Sequence, residues 1–119
     1  MYFDVEMNPI QLMSVAVVGE VLPGHIAAKV GVRAGDVLCE LGGCRLKDDD
    51  LASMPRIIRE SVQREKRMVV ARKTDGVYRI VSFNFPVGLM GVRFCEKRVN
   101  EHEFNEIQVA YCGFQNKSK

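Results

Sequence analysis

Val21-Leu-Pro-Gly-His-Ile-Ala-Ala-Lys-Val-Gly-Val-Arg-Ala-Gly-Asp-Val-Leu-Cys-Glu-Leu-Gly-Gly43 is the stretch on which the fold turns. Upstream of it, Ser14 to Leu22 is rich in β-branched residues and runs into Pro23-Gly24, which predicts a strand ending in a turn. Ile26 to Val30 is one helical turn, and Gly31 behind it can adopt the left-handed conformation that stops a helix. Ala34-Gly35-Asp36 reads as a tight turn, and Val37 to Leu41 as a short strand closed by Gly42-Gly43. A second short strand is expected over Cys44 to Leu46.

Working outward, Asp48, Asp49 and Asp50 precede Leu51, Met54, Ile58 and Val62, apolar residues spaced to share one side of a helix. The three carboxylates suit its N-terminus, where they can cap free N–H groups and face the positive end of the helix dipole, so they read as a cap rather than a metal site. Pro55 falls in or just beyond the first turn if Asp50 is the cap; otherwise the helix begins near Ser53. Arg67 to Arg72 and Tyr78 to Phe85 are predicted strands, and Asp75-Gly76 between them is a hairpin signal. Pro86 to Phe94 reads as a glycine-containing loop entering a strand. A polar stretch follows to Glu106, Ile107 to Tyr111 is expected to form one more strand, and the tail from Asn116 to fray.

The chain has 119 residues, 47% of them apolar and 27% charged, which fits a single globular unit with one modest core. A net charge of +2, spread along the chain, concentrates no field for a polyanion, so nucleic acid is not expected as a partner. Met1 to Asn8 has neither the basic start nor the apolar run of a secretory signal, and no stretch approaches membrane-spanning length. A cytoplasmic location without membrane insertion is therefore expected. Cys39, Cys44, Cys95 and Cys112 show no CxxC pair or regular spacing and are expected to be free thiols.

The succession of strand, Pro-Gly turn, short helix, Gly-Asp turn, strand, Gly-Gly, long helix and hairpin resembles the PDZ domain. The likeness rests on residues 21–43, joined by the helix near 50–64 and the strand at 68–72, and spans roughly residues 14–85. Two departures fall in turns: His25-Ile26 stands where family members often carry Ser-Pro or Gly-Pro, and Gly42 where they carry Asn. The resemblance implies an α+β fold, a small, mostly antiparallel, partly open β-barrel or sandwich of five to six strands capped by one short and one long helix. It treats residues 1–119 as one domain, with 86–119 as a C-terminal extension.

In most PDZ domains a Gly-Leu-Gly-Phe-like loop upstream of the Pro-Gly turn receives a peptide's terminal carboxylate on its backbone N–H groups. By spacing, Tyr2 to Val5 holds that place, but Asp4 brings a negative charge and glycine is absent. The better chemical match is Gly88, Leu89, Met90, Gly91, Val92, Arg93 and Phe94, downstream of the hairpin. That order is similar to the circularly permuted arrangement of some protease-associated PDZ domains. The alternative reads residues 86–119 as the start of a second repeat, with Gly91 to Phe94 and Ile107 to Tyr111 echoing Phe3 to Val5 and Val15 to Val18.

The resemblance further implies a groove between the long helix and its neighbouring strand, where an extended peptide or protein C-terminus adds as a strand. Leu51, Met54, Pro55 and Ile58 are the candidate helix residues of that groove, and Ile58, Leu89 and Val92 the candidate pocket for the last ligand side chain. Leu51 stands where many PDZ domains carry a His that bonds a Ser or Thr hydroxyl, so an apolar ligand side chain is expected there. A plain core stripe is the competing reading of Leu51, Met54 and Ile58, and a solvated face that of Arg93.

Catalysis is not expected. His25 falls in a turn and His102 in a polar stretch, neither set beside a cysteine nucleophile, and no zinc-ligand spacing, phosphate loop or dinucleotide fingerprint is present. No cofactor is expected. Two roles remain: a peptide-binding adaptor module, as a monomer or weak self-associator, and a structural unit of a larger assembly whose groove is filled by its own residues 95–119.

Overall fold

The computed structural model describes residues 12–45 and 52–117 of the chain. Its elements run β1 (Leu12–Val21), α1 (Ile26–Val30), β2 (Val37–Leu41), β3 (Cys44–Arg45), α2 (Met54–Ser61), β4 (Lys66–Thr74), β5 (Val77–Phe85), β6 (Val92–Asn100) and α3 (Glu101–Lys117). The strands form one open antiparallel sheet in the order β5-β4-β2-β1-β6, with β3 paired to β2. The protein is thus a small α+β domain with six strands and three helices. None of the described helices is long and apolar enough to cross a membrane.

Turn chemistry sets the frame. Gly31 ends α1 at φ 99°, its N–H bonding the Ala27 carbonyl at 3.2 Å. Asp75 and Gly76 both have positive φ, which matches the right-handed twist of the β4–β5 hairpin. In the Gly-Asp turn, buried Asp36 accepts the Arg33 N–H at 3.0 Å and a two-pronged grip from Arg72, at 2.9 Å from Nε and 2.8 Å from Nη2.

The sheet is covered on both faces. Ala16, Val18, Leu38, Leu41, Met68 and Val70 point to one face with Ala27 of α1 and Met54 of α2. Val15, Val17, Val37, Val69 and Ala71 point to the other, beneath Ile107 and Tyr111 of α3. Double coverage explains why Val15 to Val18 and Met68 to Ala71 are buried at every position instead of alternating. A bulge between Leu38 and Glu40 interrupts the pairing of β2 with β4. The buried Glu40 accepts the Tyr111 hydroxyl at 2.6 Å and Arg67 Nη2 at 2.9 Å, which fastens α3 to the sheet.

Three expectations are corrected. Residues 107–111 are helical, not a strand, so the echo of a second repeat has no structural counterpart there. Asn100 Oδ1 accepts the Glu103 N–H at 2.7 Å and caps α3, while Phe104, Ile107, Tyr111 and Phe114, spaced by three and four, supply its buried side. His102 accordingly lies on the first turn of α3 and not in a loop. The pattern of one short and one long helix becomes three, with the longest at the C-terminus and α2 only eight residues long. That helix starts from Ser53, with Pro55 in its first turn where a missing N–H costs no bond. The proposed caps Asp48 to Asp50, together with Leu51, lie outside the described residues.

Cys39 is buried, and desolvation pushes its thiol up to about 12, whereas Cys44, Cys95 and Cys112 are exposed. At pH 8 only about one Cys39 thiol in ten thousand is ionised. A native sample treated with a chromogenic disulfide reagent is expected to release three equivalents quickly and the fourth only on unfolding. Four equivalents released at one rate in native buffer would contradict the packing of Cys39.

Candidate peptide-binding groove

β6 runs antiparallel to β1 from Leu12↔Asn100 to Val21↔Val92, and it is the last strand on that side of the sheet. Its other edge therefore has no partner strand among the described residues. Val92 and Phe94 pack toward the face that carries α2, as do Ile57 and Ile58. Between strand and helix lies a cavity of about 210 Å³ whose walls include Met54, Pro55, Phe94 and Glu96, with Ala16 beneath. Glu96 is tied down by the Ser14 hydroxyl, which donates to it at 2.5 Å. The described part of residues 95–119 forms β6 and α3, and α3 covers the opposite face of the sheet.

The loop from Pro86 to Gly91 leads into β6, and its carbonyls are committed to the body of the domain. Lys66 Nζ donates to the carbonyls of Pro86 and Gly88 at 3.1 and 2.8 Å. The Ala27 N–H donates to Met90 O at 2.9 Å, and the Leu22 N–H to Gly91 O at 2.8 Å. In a planar trans peptide the N–H points opposite to the preceding carbonyl. With Gly88, Met90 and Gly91 carbonyls turned inward, the N–H groups of Leu89, Gly91 and Val92 are turned outward, and those of Leu89 and Gly91 have no partner among the described residues. Only the Gly88 N–H is used, by Val62 O at 2.8 Å. Outward amides converging at a strand's start form a nest for an anion.

Gly91 has φ 82°, and a Cβ there would stand 2.1 Å from Cβ of His25, so the backbone can follow this path only as glycine. His25, read from the sequence as a turn residue, packs against the loop. Gly88 also has positive φ, 121°, but open space around it.

The sequence candidates distribute as follows. Gly88, Leu89, Gly91, Val92 and Phe94 lie along the loop and the strand it feeds. Leu89 is 68% exposed and Met90 only 5%, so the Met90 side chain is core. Arg93 is exposed, 3.6 Å from Glu20, a distance and setting worth little energy. Met54 is buried at the cavity wall, Pro55 is exposed beside it, and Ile58 is half-buried. Leu51 and the competing loop Tyr2 to Val5 lie outside the described residues. Sequence reading missed Lys66, His25 and Ser14 as loop and groove supports, because each depends on segments brought together only by folding.

A larger hollow of about 370 Å³ lies on the far side, between Val77 and Tyr78 of the hairpin and His102, Glu106 and Val109 of α3. The Tyr78 hydroxyl donates to Glu103 there, and burial pushes the phenol pKa up. The adjoining edge of β5 is also unpaired, but no loop with outward amides opens onto it. No known family model matches the chain, and no curated protein matches it either.

Proposed function

We propose that this chain is a PDZ-like recognition module that adds an extended peptide to the open edge of β6, in the groove beside α2. The observation that carries the reading is the coincidence of three things at one place: an edge strand without a partner, a helix alongside it, and a glycine loop with its amides turned outward. Main-chain bonds to β6 supply affinity, and alternate ligand side chains enter the groove. The ligand's last residue sits beside Val92 and, counting antiparallel, its third-last beside Phe94. Phe94, Met54 and Pro55 favour an apolar side chain there, since a hydroxyl would lose its hydrogen bonds to water.

The permuted arrangement follows from the same reading, because the strand and loop come from the C-terminal side of the hairpin. No chemistry is assigned to the chain itself, and the partner is a protein C-terminus or an extended segment. Self-pairing of β6 is disfavoured: a pairing centred on Cys95 sets Arg93 against Lys97, a like-charge device that blunts strand edges. The self-filled groove is the less supported alternative, since the described residues of 95–119 are engaged elsewhere.

An array of octapeptides with free C-termini, varied at the last and third-last positions, tests the reading by fluorescence anisotropy. Peptides with Val or Phe third from the end are expected to bind more tightly than those with Ser or Thr, and to slow hydrogen exchange along residues 92–98. Tighter binding of Ser or Thr would refute the apolar groove. Binding without protection of β6 would refute strand addition.

A further inference from the structure

Lys66 is the one group at the groove that ordinary folding requirements leave unexplained. It begins β4, is only 6% exposed, and directs its ammonium at three carbonyls: Arg64 at 3.3 Å, Pro86 at 3.1 Å and Gly88 at 2.8 Å. No carboxylate pairs with it among the described residues, in contrast to Arg72 with Asp36 and Arg67 with Glu40. Carbonyl dipoles solvate a cation but leave its net charge in place, and an uncompensated buried charge is costly. A neutral side chain of similar length would avoid that cost. The charge sits directly behind the loop whose amides face outward, so the nearest place for a counter-charge is the outer side of that loop.

We infer that Lys66 is the positioning residue of a carboxylate subsite: it draws the Pro86 and Gly88 carbonyls inward, so that the Leu89 N–H faces out, and its unpaired charge awaits the ligand's terminal carboxylate. This deepens the proposed function and rests on it. All three N–H bonds of the ammonium go to carbonyls, so Lys66 acts on the ligand through its field and through the loop, without touching it. Burial pulls its pKa below the ordinary lysine value, and no acidic neighbour holds it up, as expected for a cation whose partner arrives from outside. The ligand class is thereby narrowed to chains that end at the loop, in preference to internal segments passing through.

The test compares each octapeptide of the array as free acid and as C-terminal amide. Wild-type protein is expected to prefer the acid by about tenfold, the difference between a charge-assisted and a neutral set of hydrogen bonds. Lys66→Gln keeps donors for the loop carbonyls but removes the charge, and is expected to bring the ratio to about threefold or less while leaving amide affinity little changed. An unchanged ratio in Lys66→Gln overturns the inference and leaves strand addition standing. Equal binding of acid and amide by the wild type also overturns it, whereas no binding of either form by any peptide removes the proposed function itself. Should Lys66→Gln prove unfolded by its thermal transition, Lys66→Arg decides: a folded variant that keeps the ratio supports the charge, and one that loses it refutes the inference.

Discussion

Replacing Arg72 by methionine is expected to lower the free energy of unfolding by about 3–5 kcal/mol, the cost of stranding a buried charge. Asp36 is 2% exposed, and both its oxygens are held by the Arg72 guanidinium, at 2.9 and 2.8 Å. The same guanidinium donates to Gly31 O at 2.9 Å, so one side chain ties the end of α1 to the turn before β2. Removing it leaves the carboxylate with the Arg33 N–H and no cation. Methionine preserves much of the aliphatic stem, so lost packing is a minor part of the effect. Urea unfolding measures the loss directly. A second variant, Asp36→Asn with Arg72→Met, is expected to recover part of it, because the stranded charge is then gone. A loss under about 1 kcal/mol for Arg72→Met would mean that Asp36 reaches water and that the turn does not depend on the pair.

Gly91→Ala is expected to cost about 2–5 kcal/mol, the sum of a left-handed non-glycine residue and an overpacked contact. The methyl group would meet the root of the His25 side chain at 2.1 Å for Cβ and 2.6 Å for Cγ, atoms that a rotamer change cannot move far. The loop cannot retreat either, since hydrogen bonds from Leu22 and Ala27 hold it on both sides of the contact. Peptide affinity is expected to fall at least about tenfold as the outward amides lose their alignment. Adding His25→Gly removes the collision but not the backbone strain, so the double variant is expected to regain roughly half the stability. Gly88→Ala, with open space around it, provides the contrast: strain alone, about 1–2 kcal/mol. A Gly91→Ala protein as stable as the parent would show that the loop does not hold this path.

Much of the architecture was readable from the chain because turn residues act locally. Asp75-Gly76 defined the hairpin, Gly31 the end of α1, and the loop at Gly88 to Gly91 its entry to β6. Helix α3 was misread because Ile107-Gln-Val-Ala-Tyr111 alternates like a strand, although Asn100 with Glu103 formed a capping signal and residues 104, 107, 111 and 114 a helical stripe. A second clue was present in Val15 to Val18: four apolar residues in a row do not suit a strand with one wet face, and they implied a cover on the other side. Lys66 had no such signal. Within Arg64-Glu-Lys-Arg67 it reads as one charge of a solvated run, and only the return of residues 86–88 beside it makes it buried. The edge of β6 depends in the same way on a pairing between chain segments far apart.

That distance has a consequence for biosynthesis. Ser14 meets Glu96 across 82 residues, so on the ribosome the first strand must wait for the last. At ordinary translation speeds the interval is about 4–16 s, long on the scale of strand association. Throughout it, one side of Leu12–Val21 offers unsatisfied main-chain groups and bare valines to any neighbouring nascent polypeptide. Premature termination before codon 92 would make that exposure permanent, so such fragments are natural clients for chaperones or proteases.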